Sequence, residues 1–140
     1  MAATMHLDIV SAESEIFSGE VNVVVAPAIM GEVGIYPQHT PLVTRLKPGE
    51  VKIEVEGEED QFIYVSGGLL EVQPDVVTVL SDTAMRAEDL DENMALQAKQ
   101  KAEESLADQQ SDIDSARALA ELAESAAQLR MIEKLRKSKR

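Results

Sequence analysis

The chain has 140 residues with 26 acidic and 13 Lys and Arg side chains, a formal net charge of −13. That length suits one domain with a small appendage, and the acidic balance argues against a nucleic-acid binder and against adhesion to anionic lipid, both of which need clustered cations. The absence of cysteine excludes a disulfide framework, a thiolate metal site and a cysteine nucleophile and fits a reducing compartment, while no apolar run reaches the roughly 18 residues of a membrane span and no signal-peptide layout opens the chain.

Two compositions are joined end to end. All seven glycines lie at or before Gly68 and all five prolines at or before Pro74, together with the aromatics Phe17, Tyr36, Phe62 and Tyr64. Beyond Asp75 neither glycine nor proline occurs and alanine dominates, a change from turn-punctuated strands to long helices. The expected organisation is a β module over residues 1–86 and a helical module over 87–140, joined near Thr83 to Asp89.

In chain order, Met5, Leu7 and Ile9 alternate with His6 and Asp8, the two-residue period of a half-buried strand. Val21 to Val25 and Val76 to Leu80 are more continuously apolar, as in strands covered on both faces. Val51 to Glu56 alternates apolar and charged residues, and Phe62 to Val65 is separated from Leu69 to Val72 by Gly67-Gly68. Turn signals fall at Ser18-Gly19, Gly31 to Gly34, Pro48-Gly49, Gly57 to Asp60 and Pro74-Asp75. Short strands with such close turns predict an antiparallel β-sandwich or flattened barrel.

The period then changes. Leu90, Met94, Ala98, Ala102 and Leu106 recur every four residues, one stripe of a helix of about 20 residues. Asp89 or Asp91 can cap it, and the acidic run Glu88 to Glu92 suits the positive dipole end. The polar stretch Asp108 to Asp112 interrupts the stripe. Asp112 or Asp114 can cap a second helix, with Ala116, Leu119, Ala120, Ala123 and Ala127 on one face, widened by Leu122, Ala126, Leu129 and Ile132. Small side chains allow close approach, so the fold class is α+β: a sandwich followed by an antiparallel two-helix hairpin. An alanine seam buries little area, which makes the hairpin conditionally stable.

Charge is partitioned too. Residues 1–87 carry a net −10 and residues 88–129 a net −8, whereas Arg130 to Arg140 hold six cations against Glu133, a net +5. That basic end reads either as a solvated terminus complementing the helix dipole or as a docking element for an acidic surface.

No catalytic arrangement emerges. Two histidines, His6 and His39, stand without an HExxH zinc motif. His39, in the proline-bracketed loop Tyr36-Pro37-Gln38-His39-Thr40-Pro41, suits a structural or interface role better than a general base, because no nucleophile accompanies it. Ser66-Gly67-Gly68 lacks the GxSxG frame, Gly31-Glu32-Val33-Gly34 lacks the P-loop lysine, and Glu56 to Asp60 lacks EF-hand spacing and reads as a solvated tip. No catalytic residue, cofactor or metal site is expected.

The string Gly31-Glu32-Val33-Gly34-Ile35-Tyr36-Pro37-Gln38-His39-Thr40-Pro41-Leu42 closely resembles the signature of bacterial F-type ATP synthase epsilon subunits. The likeness continues through His6 to Ser11, Phe17 to Gly19, Phe62 to Gly68, Leu70 to Pro74, Val79 to Ala84 and Leu90 to Glu92. The resemblance implies a sandwich bound to the gamma subunit and the c-subunit ring, and a helical hairpin that folds back or extends toward alpha and beta to inhibit ATP hydrolysis. It implies a non-catalytic rotor subunit that couples proton flow to ATP synthesis. It also implies a peripheral location on the cytoplasmic face of the bacterial inner membrane, with no lipid insertion and no nucleic acid among its partners. On this resemblance Gly31, Glu32 and Val33 meet the c ring and His39 meets gamma. Arg130, Lys134, Arg136, Lys137, Lys139 and Arg140 meet beta. Some members of the family bind ATP through an Asp followed three residues later by Arg; here Asp91 keeps its place but Met94 replaces the Arg. Loss of that cation weakens phosphate attraction, leaving Asp91 a weak ATP candidate that serves better as a helix cap.

Overall fold

The computed structural model describes residues 3–108 and 112–138. Contacts divide the molecule into two compact units between Ala87 and Glu88. The first is built from ten strands: β1 (Met5–Ser11), β2 (Glu15–Val21), β3 (Val23–Ala28), β4 (Gly31–Ile35), β5 (Leu42–Leu46), β6 (Gly49–Glu54), β7 (Gln61–Val65), β8 (Gly68–Val72), β9 (Val76–Ser81) and β10 (Ala84–Arg86). The second holds α1 (Glu92–Asp108) and α2 (Asp112–Ser138), after a short 3-10 turn at Ala87–Asp89.

The strands follow the order β10-β7-β6-β3-β5-β8-β9-β1-β2, with β4 paired to β3 beside this path. Neighbouring strands run antiparallel except β1 and β9, which pair in parallel from His6↔Val76 to Ser11↔Ser81. That exception to the expected antiparallel sheet follows from sequence distance: the long excursion through β2 to β8 lets β9 return in the direction of β1. The two end strands then meet, where the Arg86 guanidinium of β10 donates to the Ile16 carbonyl of β2 at 2.9 Å. The sheet thereby folds over on itself and encloses Leu7, Ile9, Val24, Ile35, Ile53, Ile63, Leu70 and Val79 in its core.

Three local readings are corrected by this arrangement. Val21 to Val25 is two strands: Asn22 breaks it, its amide donating to the Ala3 carbonyl at 3.0 Å while its side-chain oxygen accepts from Glu56 N–H at 2.7 Å. The turn expected across Gly31 to Gly34 lies earlier, at Ile29-Met30, and both glycines belong to β4. Ser18-Gly19 lies inside β2, paired with Asp8 and Leu7. Gly67, by contrast, does lie in the β7–β8 turn and Gly68 opens β8 directly after it, with φ of 113° and 128°. A Cβ on Gly68 would lie 1.9 Å from the Leu80 carbonyl oxygen, so no other residue fits there.

In the second unit α1 spans 17 residues and α2 spans 27, about 26 and 40 Å at the usual rise. Glu92 at the start of α1 pairs with Arg136 near the end of α2, which sets the helices antiparallel. The buried positions are Ala95 and Ala102 on α1 and Ala118, Ser125, Ala127 and Met131 on α2. The four-residue stripe is therefore rotated from expectation. Met94 and Ala98 are exposed, and so are Ala116, Leu119, Ala120 and Ala123. The seam follows the small residues at heptad spacing rather than the larger ones, because close helix approach selects for small side chains. Leu106 is not among the side chains described. Asp114 lies inside α2 and cannot cap it; the residue before Asp112 is outside the described residues.

Candidate interaction surfaces

The β3–β4 hairpin places Gly31, Glu32 and Val33 directly after a two-residue tip. Ala28 pairs with Gly31, Pro27 with Glu32 and Ala26 with Val33. Glu32 is exposed, and Val33 packs against the core. Gly31 takes a φ of 128°, which its lack of a side chain permits. The tip residues Ile29 and Met30 are both exposed, Met30 by 92%. The Ile29 N–H donates to the Arg45 carbonyl at 3.0 Å, and the Lys47 N–H to the Pro27 carbonyl at 2.9 Å, so β5 braces the tip. A carboxylate beside a braced apolar point suits a docking contact. Two adjacent large apolar residues at a loop tip were the available signal for Ile29 and Met30, which sequence reasoning passed over.

His39 sits past the other end of β4. Its Nδ1 lies 2.6 Å from the Thr40 carbonyl and, since a carbonyl only accepts, is the donor of that bond. The loop is held by Gln38, whose φ of 67° is costly for a side-chain-bearing residue. Its N–H donates to the Pro74 carbonyl at 2.9 Å and its side-chain amide to Asp75 Oδ1 at 3.0 Å. Glu32 and His39 are thus separated by the length of β4 and belong to two surfaces, one at the β3–β4 tip and one beside the β8–β9 turn.

A third feature lies on the outer face of the sheet. Val43, Leu69, Val76 and Leu80 from β5, β8 and β9 are exposed, and Leu69 and Leu80 flank a shallow cleft with Val10 and Ala12. The run Val76 to Leu80 has the composition of a strand covered twice, yet only Val77 and Val79 are buried within the chain. Leu69 and Leu80 are direct cross-strand partners, while Glu71 stands opposite Val43 and Thr78 lies between Val76 and Leu80; exposed apolar side chains grouped on one face in this way mark interaction sites. Next to this face His6, in register with Val76 of β9 as Asp8 is with Thr78, lies between two carboxylates. Its Nε2 is 3.0 Å from Asp8 Oδ1 and its Nδ1 is 3.1 Å from Glu20 Oε2. Hydrogen bonds to Asp8 and then Glu20 raise its pKa above 6.5. Strand alternation already put His6 and Asp8 on one face; Glu20 needed the β1–β2 pairing.

In the helical unit Asp91 caps α1. Its Oδ1 accepts from Asn93 N–H at 3.0 Å and Met94 N–H at 3.3 Å. Met94 is exposed and brings no cation to this helix start. Arg130 and Lys134 are exposed on α2, and Arg136 pairs with Glu92. Lys137 lies within the α2 backbone, while Lys139 and Arg140 fall outside the described residues. Among the described residues no acidic or histidine cluster could hold a metal ion, and no helix is long and apolar enough to cross a membrane.

Comparison with known proteins matches both units. The family model for the ATP synthase delta/epsilon chain β-sandwich domain covers residues 4–87, and that for the delta/epsilon long α-helix domain covers 88–133. The chain is 68% identical over 138 residues to the ATP synthase epsilon chain of Nitrosococcus oceani, covering 98% of each sequence. It is 61% identical over 137 residues to that of Nitrosomonas eutropha, again covering 98% of both. A chain of the Euglena gracilis mitochondrial ATP synthase, from a cryo-EM structure of OSCP/F1/c-ring, shares the fold with a TM-score of 0.79 at 21% identity, over 91% of this chain and 80% of that one.

Proposed function

This chain belongs to the ATP synthase delta/epsilon chain family, and from that premise we propose that it is a central-stalk subunit which joins shaft to ring and restrains ATP hydrolysis. The sandwich is the adaptor. The observation that carries this reading is its uncovered apolar face: Val43, Leu69, Val76 and Leu80 on a rigid sheet offer apolar area to a partner, worth roughly 25 cal/mol per Å² once buried. The gamma subunit is the occupant proposed for this face, with the His39 loop beside it. Gly31, Glu32 and Val33, with the Ile29-Met30 tip, form the contact to the c ring, where Glu32 supplies charge selectivity more than affinity.

The helical unit is the brake. Arg130, Lys134, Arg136 and Lys137, continuing into Lys139 and Arg140, present cations to an acidic surface of beta when the hairpin opens. No step of bond chemistry falls to this chain; it transmits rotation driven by protons in the membrane sector. Its place is peripheral, on the cytoplasmic face of the bacterial plasma membrane, with no lipid insertion and no cofactor. Asp91 is committed to its cap and Met94 supplies no phosphate partner, so isolated protein should bind ATP more weakly than the micromolar range, about −8 kcal/mol.

Truncation after Ala87 in the assembled complex tests the brake. ATP hydrolysis should rise strongly with assembly intact. Unchanged hydrolysis overturns the brake, and loss of assembly assigns the helices a structural role instead. Leu69→Asp with Leu80→Asp tests the adaptor: co-purification of gamma should fall sharply, and undiminished recovery overturns the assignment of that face.

A further inference from the structure

We propose that Glu92 and Arg136 are a latch: the pair closes the open end of the hairpin and withholds Arg136 from an acidic partner until the helices part. This rests on the brake reading above and names how that brake is held off. Apart from Met131, the buried side chains of the seam are the small Ala95, Ala102, Ala118, Ser125 and Ala127, which leave it little apolar area with which to hold itself shut. Glu92 lies one turn before Ala95, and Arg136 lies three turns after Ser125, so each extends the buried stripe of its own helix. Their ion pair is the end rung of that seam.

Each charge also suits its place without the other. Glu92 is in the first turn of α1 and Arg136 in the last turns of α2, where the dipoles favour an anion and a cation respectively. The pair therefore adds a tie between two ends already well charged. It lies near the surface, with side-chain exposures of 34% for Glu92 and 63% for Arg136, so solvent and salt keep its strength modest. That modesty suits a switch. On opening, Arg136 exchanges the Glu92 carboxylate for one on the partner, leaving no buried charge uncompensated. The balance between the two states then depends on the difference between two similar pairs.

The consequence separates the two partners. Neutralising Glu92 removes a contact of the closed state alone and should deepen inhibition. Neutralising Arg136 removes a contact from both states, loosening the hairpin while weakening docking. A substitution that simply unfolded the helices would weaken inhibition rather than deepen it.

The test uses the full-length chain, which has no native cysteine. Cysteines at the exposed positions Gln97 and Ala123 carry spin labels that report helix separation. Glu92→Gln should raise the ratio of parted to closed hairpins about twofold to fivefold at low salt, fading at high salt. Glu92→Gln added to Arg136→Gln should part the helices no further than Arg136→Gln alone does, because the tie is already broken. In the assembled complex Glu92→Gln should deepen inhibition of hydrolysis by a similar factor. Unchanged label distances overturn the latch. Parted helices without deeper inhibition overturn the withholding of Arg136. If truncation after Ala87 leaves hydrolysis unchanged, the brake reading fails by itself, and the label distances still judge the pair.

Discussion

The two units enclose their cores with different materials. The sandwich buries Leu7, Ile9, Ile53, Ile63, Leu70, Val77 and Val79 completely or nearly so. Each such side chain contributes about 1.5–3 kcal/mol when removed from water. Across the hairpin the buried positions are alanines and a serine, with Met131 the large exception among the described residues. Apolar burial thus stabilises the first unit strongly and the second weakly. The second depends more on helix propensity, its Asp91 cap and the pair at its open end. A tightly packed adaptor and a loosely clasped arm suit a part that grips one partner continuously and meets another intermittently.

The widest gap between the units should be seen in core truncation. Leu70→Ala leaves a cavity under β8 and should cost about 2–5 kcal/mol of sandwich stability, measured by urea unfolding. Gly68→Ala should be similarly severe, because its new Cβ would collide with the Leu80 carbonyl and its φ of 128° disfavours any side chain. Ala118→Gly at the hairpin seam removes almost no apolar area and should cost only about 1 kcal/mol of helix propensity. Comparable losses at Leu70 and Ala118 would break the contrast.

Native-state hydrogen exchange sharpens the same comparison. Amides of β1, β8 and β9 should exchange only through global unfolding, while those of α1 and α2 should exchange through a much cheaper opening. Asp91→Ala should lower the protection of α1 by about 1 kcal/mol, the usual worth of an N-cap side chain, and leave the sandwich amides unchanged. Equal protection in both units would mean that the hairpin does not open independently.

Much of this contrast was legible in the sequence, because composition itself changes with the unit. Alternation at Met5, Leu7 and Ile9 and at Val51, Ile53 and Val55 marked the core face of two strands correctly, since a period of two has one solution once one face is buried. Helix existence was equally plain, but helix rotation was not. Met94 and Leu119 are larger than Ala95 and Ala118 and so dominated the apolar pattern, while the seam selected for smallness. Gly31 and Gly34 read as a turn because glycine there reports backbone freedom and says nothing of strand pairing. Of the interaction surfaces, the Glu32 and His39 loops stood out from their motif. The outer apolar face was encoded in the two-sided composition of Val76 to Leu80, but its being uncovered is a property of the folded chain. The partnership of His6 with Glu20, fourteen residues apart, needed the register of β1 on β2.

The smallest expected effect concerns that partnership and depends on pH. Neutral imidazole carries one N–H, so it can donate to Asp8 or to Glu20 but not to both; imidazolium donates to each. The groups around it hold the carboxylates in place, Ser18 Oγ donating to Asp8 Oδ1 at 2.7 Å and Thr4 Oγ1 to Glu20 Oε1 at 3.3 Å. From β9 only the uncharged Val76 and Thr78 face this pair. The hydrogen bond to Asp8, and after it that to Glu20, raises the His6 pKa above 6.5 against an opposing effect of desolvation. A pKa raised on folding means that the folded state binds the proton more tightly, so the stabilisation is complete below 6.5 and fades as pH rises through the folded value. The tie joins β1 to the end strand β2, and its loss should lower the unfolding midpoint slightly as pH rises from 6.5 through the folded pKa. Titration of the His6 ring by NMR should give a pKa above 6.5, and His6→Gln should flatten the pH dependence of the midpoint while leaving α1 and α2 unaffected. An unshifted ring would show that the carboxylates are too well solvated to prefer imidazolium. The β1–β2 edge would then rest on its backbone ladder and on the packing of Ile16 and Phe17 against the core.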